Sequence, residues 1–271
     1  MEILLQEWLT VKGVILFTIG LLAAIIGVLF GAAGFILMPS LLLVGIPIHT
    51  TVAVNKFATG LSALSNVVSF VIKGQLSIKK YFSFMIVASI GGVFGALFAI
   101  LLSEQIMNVV ACISLIFAFL IVLCSNKWIV KDVKETEEQP LSKLIPFAIS
   151  IYDGGFGPGS ALMNITYFLK KQYHYLKAVE LTRMLSLSSC TGAFLFYYFT
   201  GIVDWGIAIP VSLGSIAGSF LGLRIIPYIQ TKWIQIILPI IFFVLNCSSC
   251  VGFNKISETS PTFFAPKFKD I

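Results

Sequence analysis

The sequence predicts an all-α integral membrane protein made of two inverted repeats, each a broken-helix or re-entrant hairpin followed by three transmembrane helices. Three observations predict it. Of 271 residues, 58% are hydrophobic and only 11% charged, whereas a soluble domain carries about 25% charged residues. A chain so poor in polar groups cannot cover a water-facing surface, so lipid is its solvent. Apolar segments of membrane-crossing length recur along the chain, and glycine- and proline-rich breaks fall at matching places in its two halves.

The first repeat, residues 1–125, holds apolar segments at about 13–31, 34–46, 51–72, 80–102 and 106–125. Residues 126–143 form a hydrophilic linker. The second repeat, 144–253, holds segments at about 144–157, 159–169, 178–200, 206–228 and 233–253, and a polar tail covers 254–271. In each half the last three segments have the roughly 20 residues that span a bilayer at 1.5 Å per residue. The first two are joined through a break: Gly27 to Pro39 reads GVLFGAAGFILMP, and Asp153 to Asn164 reads DGGFGPGSALMN. Glycine and proline free backbone groups that lipid cannot satisfy, so such breaks belong where protein or a water-filled cavity covers them. The acids Glu2 and Glu7, where a signal peptide carries basic residues, argue against a cleavable leader.

The halves superpose. Lys56 falls on Arg183, since 183 − 56 = 127, and the same shift carries Ser62 to Ser189, Gly74 to Gly201, Gly91 to Gly218 and Gly95 to Gly222. The breaks match at 126, Gly31 on Gly157. Duplication with interrupted segments in equivalent positions points to the binding site of a secondary transporter.

Lys73, Lys79 and Lys80, the linker lysines 127, 131, 134 and 143, the group Lys170, Lys171 and Lys177, and Arg224 with Lys232 mark cytoplasmic loops, while the loops around Ser103 and Asp204 carry no Lys or Arg. Equivalent loops thus fall on opposite sides, which is why the repeats are expected to be inverted, with both termini outside a cell (inner) membrane. The net charge of +6 is then loop charge against anionic lipid, with no nucleic-acid partner.

Lys56 and Arg183 are the leading candidates for substrate binding. A cation deep in a membrane segment costs about 2.5–3.5 kcal/mol and usually faces a cavity or a partner. Snorkelling to the interface is the alternative, as is pairing of Arg183 with Glu180 one turn earlier. Recurrence at the equivalent site favours function, and two cations approaching from opposite faces suit a small anion. The glycine breaks follow. Gly157, Gly159 and Ser160 begin a helix whose N–H groups and dipole favour an anion, with Gly31 and Gly34 as the mate; close helix packing is the alternative. Gly91–Gly95 and Gly214, Gly218 and Gly222 read as packing glycines. Asp153 is a candidate carrier of a coupling proton, or else an acceptor for a helix end. Asn55, Thr182 and Asn164 are candidate hydrogen-bond partners. His49 and His174 are read in loops. Of the cysteines, Cys112, Cys124 and Cys190 lie in apolar stretches, and Cys247 with Cys250 is filler or an optional disulfide, with no metal or cofactor implied.

In these residues the chain resembles the TauE/SafE family of membrane transporters over nearly its whole length. The second break, YDGGFGPGSALMN, is very close to the family's YDG-F-GPG signature, and the first carries Ala32-Ala33-Gly34 where members usually show a glycine triplet. The resemblance implies transport of small sulfur oxyanions or organosulfonates such as sulfite and sulfoacetate. The residues alone reach only a small anion, moved by alternating access with a proton or sodium as compatible coupling ion and a homo-oligomer as compatible assembly. An anion channel is the nearest rival. A membrane-embedded enzyme lacks a visible nucleophile–base pair or metal cluster.

Overall fold

The computed structural model describes residues 11–31, 33–111, 113 and 142–225. Among them the chain is helical throughout: α1 Val11–Phe30, α2 Ala33–Leu43, α3 Ile48–Ile72, α4 Ile78–Leu101, α5 Leu144–Gly155, α6 Ser160–Lys170, α7 Tyr175–Phe199 and α8 Trp205–Ile225. A further helical stretch at 104–111 follows α4. Within the described residues the sequence segments and the helices agree closely; 114–125 of the fifth segment lie outside them. The Cys247–Cys250 motif, the last apolar segment, the tail and nearly all of the linker lie outside the described residues. His49 lies in the first turn of α3 rather than in a loop, because Pro47 starts that helix earlier than the apolar run suggests.

α1, α4 and α8 are long and apolar enough to cross a membrane. Their outward faces suit lipid as the solvent. On α4, Phe82, Ile86, Ile90, Phe94, Phe98 and Leu101 are exposed, while Ala88, Gly91, Gly92, Gly95, Ala96 and Ala99 are buried. A soluble helix would turn the large apolar residues inward. Here small residues face the protein so that backbones can approach closely. α3 and α7, with 25 residues each, are as long but carry most of the buried polar residues.

The principal contacts exchange when the halves are exchanged. α1 packs along α8 as α5 packs along α4; α3 meets α8 as α7 meets α4; α3 and α7 meet each other. On α8, Gly214, Gly218 and Gly222 rise against Phe17, Leu21 and Ile25, and on α4, Gly91 and Gly95 rise against Phe147 and Ile151, so each of these pairs runs parallel. α3 and α7 run antiparallel, Phe57 stacking on Phe194 and Gly60 lying against Cys190. Equivalent glycines also end α3 and α7. Gly74 and Gly201 have φ of 69° and 72°, and the Gln75 N–H closes onto the Phe70 carbonyl at 2.9 Å, a left-handed helix end that a side chain would strain.

The hairpins differ in one respect. α5 has 12 residues, as the sequence suggests for a half-crossing, but α1 has 20 and is long enough to cross alone. The first pair is therefore a full-length helix followed by the short α2, which contains Pro39.

The packing glycines give a direct test. A Cβ at Gly95 would fall on the Ile151 carbonyl oxygen and 2.7 Å from the Gly155 nitrogen, both rigid backbone, whereas one at Gly60 would meet only the Cys190 Cβ at 3.4 Å. We expect Gly95→Ala to lower stability by about 1–3 kcal/mol, the usual cost of overpacking, and Gly60→Ala to be near neutral. Thermal unfolding of the detergent-solubilised protein compares them. Equal melting temperatures would show that α4 and α5 are not in close contact.

Candidate functional site

The site forms where the two breaks meet. After α5 the chain turns through Gly157 and Gly159, at φ of 97° and 83°, on either side of Pro158. Only glycine takes these angles cheaply, and the reversal starts α6 at Ser160. Carbonyls freed by the turn are met by tyrosine hydroxyls: Tyr152 donates to the Pro158 carbonyl at 2.7 Å and Tyr197 to that of Gly154 at 3.1 Å. Gly31, at φ of 71°, turns the first break. A Cβ on Gly34 would come within 3.1 Å of Pro158 Cα, and one on Gly31 within 3.2 Å of Ala161 Cβ and Ile165 Cδ1. Gly31 and Gly34 thus place the first break directly on the second.

Lys56 and Arg183 are both buried, 1% and 7% exposed, so neither snorkels to the surface. Each stands eight residues beyond the first residue of its helix, Ile48 or Tyr175, about 12 Å along at helical rise. Each reaches across to the other repeat. Lys56 donates to Asp153 Oδ1 at 3.3 Å. Arg183 donates to the Gly27 carbonyl, which also accepts from the Gly31 N–H at 2.7 Å. Since 153 − 27 = 126, these acceptors occupy equivalent places just before the two breaks. Glu180 does not pair with Arg183. It accepts from Lys177 at 2.9 Å, and Lys177 also donates to the Gln75 carbonyl at 2.6 Å, tying α7 to the loop after α3.

Asp153 is the hub. Besides Lys56, its carboxylate accepts from Ser160 at 2.6 Å and from Ser189, and Cys190 Sγ lies 3.6 Å from Oδ2. These donors are side chains, so Asp153 joins α3, α6 and α7 instead of capping backbone N–H groups. Asp153 lies in the last turn of α5, and through Ser160 its carboxylate reaches the first residue of α6, where the positive end of that helix suits it. The Lys56 ammonium rests against Gly157, and the Asn55 amide lies beside it. Cys190 is a free, buried thiol near Thr59 at 3.3 Å.

Asn55 and Thr182 are repeat mates, since 182 − 55 = 127, and each is 1% exposed with one side-chain oxygen that has no hydrogen-bond partner. Asn164, 3% exposed, also has its Oδ1 unpartnered. Buried polar atoms nearly always have partners, so orphans beside a charged cluster mark places where something else binds. Sequence reasoning missed two members. In the sequence Ser189 stands out only as the repeat match of Ser62. Asn66 is fully buried with both amide atoms unpartnered; an asparagine inside an apolar segment was the signal. No group of His, Cys, Asp and Glu that could hold a metal ion occurs among the described residues.

The family described as Sulfite exporter TauE/SafE matches residues 16–248. A probable membrane transporter protein of a Sinorhizobium species is 28% identical over 84% of this chain and 87% of its own. One from Haemophilus influenzae is 26% identical over 84% and 89%, and one from Escherichia coli K12 is 23% identical over 85% of both chains. No solved structure matches.

Proposed function

This chain belongs to the sulfite exporter TauE/SafE family of multi-pass membrane transporters, and on that premise we propose that it is a secondary-active transporter of a small anion, a sulfur oxyanion or organosulfonate. It works by alternating access in the cell (inner) membrane, between two inverted repeats joined by the 126–143 linker. One observation carries the reading: two buried cations, at equivalent places in the two halves, each grip the break of the opposite half. An anion at that junction would draw on charge, orphaned polar groups and the N-terminus of α6, all held by backbone that must shift if the halves move. The antiparallel run of the mates α3 and α7 supports inversion. Sulfur enters through the family's description. Asp153, which joins Lys56 to three elements, is the candidate for carrying a coupling proton. The channel reading is weaker, because the described junction is closed by direct contact between the breaks.

The test is uptake of labelled sulfite, sulfoacetate and sulfate into proteoliposomes, with and without a pH gradient. We expect gradient-dependent, saturable uptake of at least one of them, and its loss by tenfold or more in Lys56→Ala and Arg183→Ala. Normal transport by both variants would end the anion-site assignment, and non-saturating flux would favour the channel.

A further inference from the structure

The two cations are equivalent by position but not by surroundings. Lys56 faces a carboxylate, and three further groups gather on that carboxylate. At the matching place Arg183 donates to the Gly27 carbonyl, and among the described residues no carboxylate lies within ion-pair distance of its guanidinium. Glu180, also buried one turn before Arg183, is answered by Lys177 at 2.9 Å, which leaves Lys56 positive, Asp153 negative and Arg183 positive at the junction, a net of one positive charge centred on Arg183.

The same asymmetry appears on the facing helices. Thr59 and Cys190 touch between antiparallel α3 and α7. Asn66 is seven residues after Thr59, and Arg183 is seven before Cys190 (66 − 59 = 7; 190 − 183 = 7). Seven residues is about two turns, which restores the face. Asn66 and Arg183 therefore come level and face each other across the helix pair. Val67 sharing a core cluster with Met184 and Leu185 agrees with that register. The mate of Asn66 is Ala193, since 193 − 66 = 127. The end with the satisfied cation has alanine. The end with the unsatisfied cation has a carboxamide, 0% exposed, neither of whose polar atoms has a partner. Thr182, beside Arg183, adds an unpartnered hydroxyl.

We propose that the anion binds at the Arg183 end, with Asn66 and Thr182 as ligands, and that the site takes one net negative charge. Lys56 and Asp153 form a neutral clamp across the breaks and do not coordinate the substrate. This rests on the transporter reading and narrows its substrate class to monoanions. A monoanion neutralises Arg183 in a dry site, whereas a dianion leaves one buried charge uncompensated.

The experiment compares uptake of methanesulfonate, a monoanion across the working pH range, with that of sulfate, a dianion, in proteoliposomes. Wild type is expected to take up methanesulfonate at least tenfold better. Asn66→Asp sets a carboxylate opposite Arg183, reproducing the neutral clamp at the other end. A folded variant, verified by its elution and melting curve, should lose methanesulfonate uptake. Asp153→Asn keeps a hydrogen-bonding side chain but raises the net charge to two; assayed by anion exchange without a pH gradient, where loss of a coupling carboxylate does not decide the result, it should shift the sulfate-to-methanesulfonate ratio toward sulfate by about tenfold. Undiminished uptake by folded Asn66→Asp, or an unchanged ratio in Asp153→Asn, overturns the proposal while leaving a transporter. Failure of wild type to move these anions, sulfite or sulfoacetate would remove the transporter reading itself, and this inference with it.

Discussion

Lys56→Ala is expected to destabilise the protein by about 3–5 kcal/mol, the cost of removing one partner from a buried ion pair. The Asp153 side chain is 8% exposed and that of Lys56 0% exposed, so water cannot replace the ammonium. Ser160 and Ser189 would still donate to the carboxylate, but hydroxyls cannot balance its charge. Lys56→Ala combined with Asp153→Ala removes both charges and should recover most of the stability, because a pair of buried charges contributes little beyond the penalty of separating them. Thermal unfolding of the two single variants and the double, read as a double-mutant cycle, measures the coupling. Additive losses would show that the 3.3 Å contact does not form. The cycle also bears on transport. Lys56→Ala cancels the net positive charge of the junction, since Asp153 then offsets Arg183, and the double variant restores it. Transport should fall with the single substitution and return in part with the double, a pattern that a purely structural role for Lys56 shares only where transport follows stability.

Much of this arrangement was legible in the sequence because it follows from periodicity and symmetry. The shift of 127 picked out Lys56 with Arg183 and Gly74 with Gly201, and a charge inside an apolar segment announces itself without knowledge of the fold. Asp153 was visible for the same reason. What the sequence could not assign was partnership. Glu180 sits one helical turn from Arg183, so local spacing suggested an ion pair; the carboxylate instead turns to Lys177, three residues earlier. The true acceptor, the Gly27 carbonyl, lies 156 residues away and is a backbone atom, which no side-chain pattern reveals. Asn66 escaped because its significance rests on the helix it faces, not on neighbours in sequence. The length of α1 was a matter of hydropathy against symmetry. Equivalence with α5 argued for a short leg, but the apolar run of Val11–Phe30 was long enough to continue as one helix.

Gly157→Ala is expected to abolish transport, for two separable reasons. At φ of 97° an alanine is strained, a cost of order 1–3 kcal/mol. Its Cβ would also fall on the Lys56 ammonium and 3.2 Å from the Asn55 amide nitrogen. The lysine end is flexible, so the chain can accommodate the methyl only by moving Lys56 away from Asp153. Gly45→Ala separates the two effects. Gly45 has φ of 86° but nothing within 4 Å of its built Cβ. That variant therefore carries the backbone strain without disturbing the junction, and should melt lower yet transport normally. Gly157→Ala should lose stability beyond the Gly45 variant, and its transport should fall by tenfold or more even at temperatures where it remains folded. Comparable transport by the two alanine variants would mean that the second break does not position Lys56, and the junction of the two halves would lose its role in carrying the anion.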